Sequence, residues 1–368
     1  MVTACSYEVR AYGVRSGMSM REASHLAPPE TVFVPSRHGA YGLYAQEVRA
    51  VLERYTPVVQ AASIDEFYLD FTGTERLYTR QGDADGAATI ERTMVEMREA
   101  IAEEVGLPAS AGVGSSKIVA KIASGRAKPA GVHLVRPGTE ADFLLPLPVR
   151  KFPGIGPRAE SQMQAHGLYT LRELVEESTT AARAKFARTI SVVERELRGD
   201  GAVRFGRERP AFREHDPAGQ RVGSISNERT FFAALDDEQR VLDQLLGLTE
   251  RVCWRARKRG LRARTVSLKL RTSDFHTVQR SSTGEATAEE KEMLARVRRL
   301  YRNIRLRAAG LPVRLVGVAL SNLVDDGGQL SLAFTQTKRV AGAVDAIRHK
   351  CGYDAVRLGH VDKRGVAR

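Results

Sequence analysis

Residues 62–71 read Ala-Ser-Ile-Asp-Glu-Phe-Tyr-Leu-Asp-Phe, and this stretch decides the fold class. Its apolar and aromatic residues predict a β-strand that carries an acidic pair, Asp65 and Glu66. Residues 41–60 before it have apolar side chains near helical spacing, which predicts a helix. After it the sequence predicts a helix at 87–104, a strand at 109–113 and a helix at 117–127. This alternation of strands and helices indicates an α/β or α+β domain.

A second unit follows a short-looped helical region at 136–205 and a charged, proline-containing linker at 206–222. Its strands are predicted at 224–232, 265–271, 275–280 and 313–321, and its helices at 236–259 and 287–308. This βαββαβ order is the ferredoxin-like, split-βαβ layout. An antiparallel sheet of this kind covers one face with helices and leaves the other face to solvent.

Basic residues of this second unit predict a surface for a nucleic-acid backbone. Lys269 and Arg271 alternate with apolar residues of one strand, so we expect them on the open face of the sheet. Arg255 and Arg257 belong to a basic cluster on the preceding helix. Such side chains contact phosphates without distinguishing base sequences.

The net charge differs between the two halves of the chain. Residues 1–200 hold 24 Lys+Arg against 25 Asp+Glu, whereas residues 201–368 hold 33 against 19. The whole excess of +13 therefore comes from the second half, which favours a polyanionic partner such as DNA or RNA there. A solvated basic surface is the alternative.

Length and composition limit the class of protein. A chain of 368 residues, 42% of them hydrophobic, favours several folded domains over disorder. The chain has no apolar stretch long enough for a transmembrane helix and no signal-peptide core, so we expect a soluble protein. Cys5, Cys253 and Cys351 lie far apart without metal-ligand spacing, which fits a reducing cytosol.

The acidic pair is the first candidate site. Two adjacent carboxylates beside apolar residues are costly to bury unpaired, and a divalent cation would offset that cost. Mg²⁺ prefers such hard oxygen ligands. Neighbouring strand residues point to opposite faces, so Asp65 and Glu66 can share a metal site only where the strand turns or bulges. Solvated acids at the end of a strand are the alternative.

Residues 112–117, Gly-Val-Gly-Ser-Ser-Lys, are the second candidate site. Glycines and hydroxyls before a helix can bind an anion through backbone N–H groups. Lys121 and Lys128 are seven residues apart and would share one helical face, with Lys117 one turn before Lys121. Such a face could neutralise a triphosphate, although the spacing is not that of a Walker A loop. A solvated helix face is the alternative.

Two short motifs complete the candidates. Residues 152–157, Phe-Pro-Gly-Ile-Gly-Pro, resemble a helix–hairpin–helix element, in which the backbone amides of the hairpin hold a DNA phosphate; a plain helix connection is the alternative. Residues 329–334, Gln-Leu-Ser-Leu-Ala-Phe, place alternating apolar side chains in a polar tail and could dock into a partner's groove. An ordinary edge strand is the alternative there.

The order of the motifs along the chain resembles one family. The motifs are Ser6-Tyr-Glu-Val-Arg10, Tyr12-Gly-Val-Arg15-Ser-Gly-Met18, Ser63-Ile-Asp-Glu66, Lys121-Ile-Ala-Ser124 with Ala127-Lys-Pro129, and Gly154-Ile-Gly156. Separated motifs at these intervals resemble the DinB-type Y-family DNA polymerases along essentially the whole chain. The segment at 329–334 resembles the peptide by which bacterial polymerases bind the sliding clamp, with Ala333 inserted relative to the commoner form.

The resemblance implies an α+β, multidomain right-hand polymerase fold with a ferredoxin-like βαββαβ little finger. The implied parts are fingers at 1–36, palm at 37–135, helical thumb at 136–205, linker at 206–222, little finger at 223–323 and a C-terminal tail at 324–368 that contains the clamp-binding motif.

The resemblance also implies template-directed DNA synthesis across damaged bases, with two Mg²⁺ ions at the reacting phosphate. It makes Asp65 and Glu66 the metal ligands and catalytic residues, and Tyr7, Arg10 and Lys128 the residues that bind the incoming deoxynucleoside triphosphate. The expected DNA contacts are Gly154, Gly156, Arg255, Arg257, Lys269 and Arg271. The expected clamp-binding residues are Gln329, Leu330, Leu332 and Phe334.

The N-terminus departs from the family pattern. The family begins with a strand that carries another metal-binding aspartate, followed by an aromatic residue that excludes ribonucleotides. Here Met1 directly precedes the fingers motif, so we expect a strand, a helix and a returning strand of roughly 30 or more residues to be missing. Two metals held by Asp65 and Glu66 alone would be under-ligated, which predicts impaired activity for the chain as written.

The leading hypothesis is a monomeric, cytoplasmic translesion polymerase that binds primer–template DNA, deoxynucleoside triphosphates and the sliding clamp. The alternative is a non-catalytic DNA- and clamp-binding mutagenesis accessory protein of the same family. A generic helix–hairpin–helix repair protein would leave the first 130 residues unexplained. The five retained metal- and nucleotide-site residues together favour the polymerase.

Overall fold

The computed structural model describes residues 1–177, 179–200, 222–305, 310–325 and 336–357. The chain forms two compact units, Met1–Arg209 and Pro210–Arg368. Within the described ranges, no helix is long and apolar enough to cross a membrane. All but the last residue of the predicted linker, and all the predicted clamp-binding residues, lie outside these ranges.

The first unit combines helices with two small sheets. Its helices are α1 (Tyr7–Arg10), α2 (Met20–Leu26), α3 (His38–Glu53), α4 (Gly86–Val105), α5 (Lys117–Arg126), α6 (Glu140–Leu144), α7 (Pro157–Gln164), α8 (Leu171–Glu176) and α9 (Thr180–Leu197). Its strands are β1 (Val59–Ala61), β2 (Phe67–Leu69), β3 (Ala111–Val113) and β4 (Val132–Leu134). The strands β1 and β2 form an antiparallel hairpin, whereas β3 and β4 pair in parallel and are connected through α5.

The buried apolar residues of this unit fall into three clusters. A small one, Val2, Val14 and Ala23, lies around α1 and α2. A second joins α3 and α4 to the β1–β2 hairpin, and a third joins α5 to the helices α6 to α9. These clusters follow chain order, as expected for separate parts that each bury their own apolar faces.

Two predicted elements near the acidic pair are wrong. The helix predicted at 41–60 ends at Glu53, because Pro57 cannot continue a helix and disfavours helical geometry in the residue before it. The strand predicted at 62–71 is confined to Phe67–Leu69, and the residues before it form a turn. The helices predicted at 87–104 and 117–127 and the strand predicted at 109–113 are confirmed to within two residues at their ends.

The second unit is a four-stranded antiparallel sheet with helices. Its elements are β5 (Ser224–Leu235), α10 (Glu238–Arg257), β6 (Leu261–Thr272), β7 (Thr277–Thr287), α11 (Glu290–Arg305), β8 (Val313–Asp325) and α12 (Gln336–Cys351). The strand order is β5-β8-β6-β7. Since β8 lies between β5 and β6, which α10 connects, the predicted split-βαβ arrangement is confirmed.

One face of this sheet forms the largest core of the unit. Val266, Leu268 and Leu270 of β6 are fully buried with residues of α10 and α11. Alternate residues of the same strand therefore face away from the helices. This alternation places Lys269 and Arg271 on the open face, as the sequence predicted.

The C-terminal helix α12 packs on α10 of the same unit. Arg348 donates to the carboxylate of Glu250, and both side chains are completely buried. Just after α12, the ring of Tyr353 lies 5.0 Å from that of Trp254. Removing one partner of a buried ion pair leaves an uncompensated charge and strongly destabilises the fold, so α12 is an integral part of this unit.

Candidate active site and nucleic-acid interface

The acidic pair lies on the turn of the β1–β2 hairpin. The amides of Ala62 and Ser63 donate to the carbonyl of Glu66 over 2.8 and 3.2 Å, which closes the turn. The Ser63 hydroxyl bonds the exposed carboxylate of Asp65. Because the pair is on a turn, the alternation of a regular strand does not force the two carboxylates to opposite faces.

Glu66 is held as an anion by its neighbours. Lys121 donates to both of its carboxylate oxygens, and the Tyr68 hydroxyl donates to one of them over 2.8 Å. Partial burial raises the pKa of Glu66, but the bonds from Lys121 and Tyr68 outweigh it and leave the pKa below the ordinary value. The charge of Asp65 also acts on Glu66 in the raising direction, so the two carboxylates are close enough to interact.

The three lysines predicted on one helical face have different positions. The helix α5 ends at Arg126, so the prediction that Lys128 shares its face with Lys121 is wrong. Lys128 lies beyond the helix and is exposed. Lys117 donates to the side chain of Gln60 and stands 5.6 Å from the centre of the Tyr68 ring.

The glycine-containing segment before α5 serves packing. A Cβ on Gly112 would come within 2.1 Å of the Ala120 carbonyl oxygen, so only glycine lets α5 lie this close to β3. At the start of α5, Ser116 accepts from the Val119 amide over 3.2 Å and donates to the buried carboxylate of Glu196. The start of α5 is therefore capped by Ser116 beside the carboxylate of Glu196, which disfavours the predicted anion site there.

Tyr7 and Arg10 lie together on α1. The Arg10 guanidinium stands 4.7 Å from the centre of the Tyr7 ring, and its Nε donates to the Cys5 carbonyl over 3.3 Å. Arg15 donates to the Arg10 carbonyl over 2.6 Å and thereby ties the end of this short helix to the following loop. Both predicted nucleotide-binding side chains are exposed and can reach a ligand.

The hairpin at Gly154 and Gly156 is open. Gly154 has φ +96°, and Gly156 is the N-cap of α7. A Cβ at either position would meet nothing within 4 Å, so packing within the protein does not require a glycine at Gly156. Close approach of an external group to the backbone remains a physical reason for glycine there.

The open face of the second sheet carries polar side chains. Lys269 is paired with Glu228 at 3.0 Å, and Arg271 donates to the Thr277 hydroxyl over 2.8 Å. Cross-strand hydroxyl pairs join β6 to β7, each at 2.8 Å; they are Thr265 with Thr283 and Ser267 with Ser281. These hydroxyls were not predicted from the sequence, although the strand alternation that placed Lys269 on this face applies to them as well.

The two α10 arginines predicted to contact DNA, Arg255 and Arg257, lie in different surroundings. Arg257 lies on the helical side, where it bonds Asp345 at 2.6 Å and Glu290 at 2.5 Å. Burial lowers its pKa, but the two carboxylates outweigh burial and raise it. Two carboxylates of the same unit therefore neutralise Arg257, which disfavours its predicted DNA contact. Arg255 donates to the Ser226 carbonyl of β5 over 2.8 Å, and burial and nearby arginines lower its pKa.

The structure thus brings together Asp65, Glu66 and Lys121. The carboxylates of Asp65 and Glu66 suit a hard divalent cation, which prefers oxygen ligands. Glu66 already binds one cationic group, the ammonium of Lys121. Among the described residues, no cluster of three or more His, Cys, Asp or Glu side chains could hold a metal ion. Asp65 and Glu66 would therefore form part of a ligand set.

Family models match three segments of the chain. The impB/mucB/samB family matches residues 1–125, and the C-terminal domain of that family matches residues 222–332. The helix–hairpin–helix motif of the same family matches residues 137–168, which include Gly154 and Gly156.

Curated relatives match nearly the whole chain. DNA polymerase IV of Dehalococcoides mccartyi is 31% identical over 98% of this chain and 87% of the relative. DNA polymerase IV of Alkalilimnicola ehrlichii is 33% identical over 90% of this chain and 88% of the relative. DNA polymerase IV 1 of Mesorhizobium japonicum is 34% identical over 99% of this chain and 79% of the relative.

Solved structures share the fold. A Y-family DNA polymerase chimera is similar with a TM-score of 0.73 and 21% identity, over 88% of this chain and 87% of the other. DinB from Sulfolobus solfataricus is similar with a TM-score of 0.53 and 20% identity, over 87% of both chains.

Proposed function

Because this chain belongs to the impB/mucB/samB family of DinB-type Y-family DNA polymerases, we propose that it synthesises DNA across damaged template bases. It is a DNA-directed DNA polymerase, a nucleotidyltransferase, with an α+β multidomain fold. The observation that carries the proposal is the Asp65–Glu66 pair, which lies on an exposed turn in a chain that matches DNA polymerase IV over 98% of its length.

Asp65 and Glu66 are the proposed ligands of two Mg²⁺ ions. When bound, the ions would activate the primer 3′-oxygen and stabilise the leaving pyrophosphate. The low pKa of Glu66 keeps this ligand ionised at neutral pH. A bound metal would compete with Lys121 for the negative charge of Glu66, and an ammonium group displaced in this way can pair with a phosphate oxygen.

Tyr7, Arg10 and Lys128 are the proposed triphosphate contacts. Tyr7 and Arg10 present a stacked phenol and guanidinium, which offer donors to phosphate oxygens from α1. Lys128 adds an exposed ammonium after α5. Together these residues would orient the α-phosphate toward the primer without taking part in bond making.

DNA is the proposed ligand of the hairpin and of the open sheet face. The hairpin at Gly154 and Gly156 has open space beside its backbone, which suits a single phosphate. Lys269 and Arg271 suit a phosphate backbone that runs over this polar sheet face. Arg255 stands at the β5 edge and can add a contact, whereas Arg257 is disfavoured by its two carboxylate partners.

The sliding clamp is the proposed partner of Gln329, Leu330, Leu332 and Phe334. The protein is proposed to act as a monomer in the cytoplasm. Substitution tests this better than truncation, because a truncation would also remove α12 and leave buried Glu250 without Arg348. The double variant Leu332→Ala, Phe334→Ala should lose clamp binding and keep its affinity for primer–template DNA. Unchanged affinity for the clamp would refute the assignment.

Primer extension tests the proposed activity. The endogenous protein should extend a primer past an abasic site or a bulky base adduct when a divalent metal and deoxynucleoside triphosphates are present, and should stop when the metal is chelated. Binding of primer–template DNA and clamp without any extension, on damaged or undamaged templates, would contradict the proposal.

A further inference from the structure

Three irregularities of the second unit meet at one end of its sheet. Register shifts occur in β5 between Thr230 and Leu235 and in β6–β8 pairing between Arg271 and Thr272. The β6–β7 connection beside them contains Phe275, a non-glycine residue with φ +66°. Bulges of this kind redirect side chains and are frequent near functional sites.

Phe275 occupies a position at which glycine is preferred. Its amide donates to the Thr272 carbonyl, and the Thr272 amide donates to the His276 carbonyl, both over 3.0 Å, which closes a tight turn. Asp274 supports the turn by accepting from the Thr272 hydroxyl and the His276 amide. A bulky residue in left-handed geometry is strained, and such strain concentrates at functional sites.

The ring of Phe275 is nevertheless exposed. Its residue is 65% exposed, and Phe232 in the β5 bulge is 99% exposed. Neither exposed ring is needed to fill the core of this unit. Burial within the fold therefore does not explain either phenylalanine.

Arg314 joins the two phenylalanines. Its guanidinium donates to the carbonyls of Phe231 and Phe232, each over 3.2 Å, and stands 5.3 Å from the centre of the Phe275 ring. The cation is thus fixed by the backbone of the β5 bulge that carries Phe232, and it lies next to the exposed ring of Phe275. Lys269 and Arg271 of the open face extend the positive charge along the neighbouring strand.

From this arrangement we propose that Phe275, Phe232 and Arg314 form a platform on which an unpaired nucleobase of single-stranded DNA stacks. Aromatic rings and guanidinium planes stack on any base, and the adjacent basic residues suit its phosphates. The inference rests on the proposed function in so far as that function brings DNA to this unit. Asp274 is held in the turn by the Thr272 hydroxyl and the His276 amide, which lower its pKa and keep it negatively charged, so the phosphates would lie toward the basic residues and away from this carboxylate.

Two oligonucleotides of equal length isolate the contribution of the base. One is a labelled oligothymidylate of about twelve nucleotides, and the other is the same backbone with every base replaced by an abasic tetrahydrofuran. Fluorescence anisotropy of the whole protein should show a preference for the base-bearing oligonucleotide. Phe275→Ala and Phe232→Ala should each reduce that preference about fivefold, because one stacked base contributes roughly 1 kcal/mol or more, and should leave affinity for the abasic strand unchanged.

The control variant is Ile347→Ala, which removes an exposed apolar side chain from α12 of the same unit and should change neither affinity. Equal losses on both oligonucleotides, or no loss on either, would overturn the platform. So would dimerisation of the wild type that Phe232→Ala abolishes, because the patch would then be an interface between two copies. A protein that extends primers yet shows no base preference would refute this inference alone, whereas one that neither binds nor extends DNA would refute the proposed function.

Discussion

At the scale of single residues, the bond between Lys121 and Glu66 matters most for the chemistry. The Lys121 ammonium group donates to both carboxylate oxygens of Glu66, a proposed metal ligand. It therefore neutralises the negative charge that a divalent cation would otherwise neutralise. Metal binding and the Lys121 contact therefore compete. A lysine in this position would favour metal loading once a triphosphate has arrived to accept its charge.

Lys121→Met should strengthen metal binding in the absence of nucleotide. A partly exposed ion pair contributes about 1 kcal/mol, which corresponds to about a fivefold gain in Mn²⁺ affinity when it is removed. Electron paramagnetic resonance of free Mn²⁺ measures this directly without any turnover. Lys128→Met, which removes an exposed lysine beyond α5, serves as the control and should leave the affinity unchanged. Weaker Mn²⁺ binding by Lys121→Met would show that Lys121 supports the metal site.

Phe275 allows backbone strain to be measured separately from its ring. In ordinary backbone geometry alanine is the more stable residue, but at φ +66° glycine should be favoured. Phe275→Gly should therefore unfold at a higher temperature than Phe275→Ala, by a few degrees, because left-handed geometry costs a residue with a Cβ about 1 kcal/mol. Thermal unfolding of the two variants side by side is the measurement. An alanine variant at least as stable as the glycine variant would mean that the turn is unstrained.

At the scale of elements, two glycines that look alike in sequence have opposite roles. Gly112 lets α5 approach β3, whereas Gly156 faces open space at the start of α7. Gly112→Ala should destabilise the first unit by several kcal/mol, because its Cβ would overlap a backbone oxygen. Gly156→Ala should unfold like the wild type and weaken primer–template binding. Loss of stability in both variants, or in neither, would contradict these roles.

The elements also show what the sequence could and could not predict. Hydrophobic periodicity located α4, α5 and most of the βαββαβ unit, because these elements bury apolar side chains. The strand predicted at 275–280 extends over Thr277–Thr287 instead, because β7 is mostly exposed and carries little apolar pattern. The hairpin around Asp65 was predicted as one strand, since its turn contains no glycine, proline or asparagine to mark it. Family resemblance, rather than spacing, indicated that the pair could share a site.

Partners contributed by distant segments could not be predicted. Lys121 meets Glu66 across 55 positions of sequence, and Arg257 meets Asp345 across 88. Arg257 was therefore predicted to contact DNA from its charge alone, while the carboxylates that occupy it lie on α11 and α12. A charged residue in a sequence indicates the sign of the charge that its partner carries. Only the fold shows whether that partner is another residue of the same chain or a separate molecule.

At the scale of the whole molecule, the excess of positive charge lies in residues 201–368, and the open sheet face carries the part proposed for DNA. The acidic side chain of Glu228 on this face opposes DNA binding, because it is paired with Lys269. Binding to a phosphate backbone releases counterions, so the number of contacts is measured by the salt dependence of affinity.

Glu228→Gln should strengthen DNA binding and steepen the dependence of log K on log salt by about one, because Lys269 becomes free for a phosphate. Lys269→Gln should weaken binding and leave the slope equal to or shallower than that of the wild type. Anisotropy titrations at several salt concentrations measure both effects. Arg302→Gln, an exposed position on α11, is the matched control and should not alter the slope. An unchanged slope in Glu228→Gln would mean that DNA does not run over this face.

The most direct test of the account as a whole is metal-dependent primer extension by the endogenous protein and by its Asp65→Asn and Glu66→Gln variants, with affinity for primer–template DNA measured in parallel. Each variant should lose at least a thousandfold in extension rate, because a charged metal ligand becomes a neutral amide, and should bind DNA as the wild type does. Near-normal extension by either variant would contradict the assignment of the catalytic centre to the β1–β2 turn.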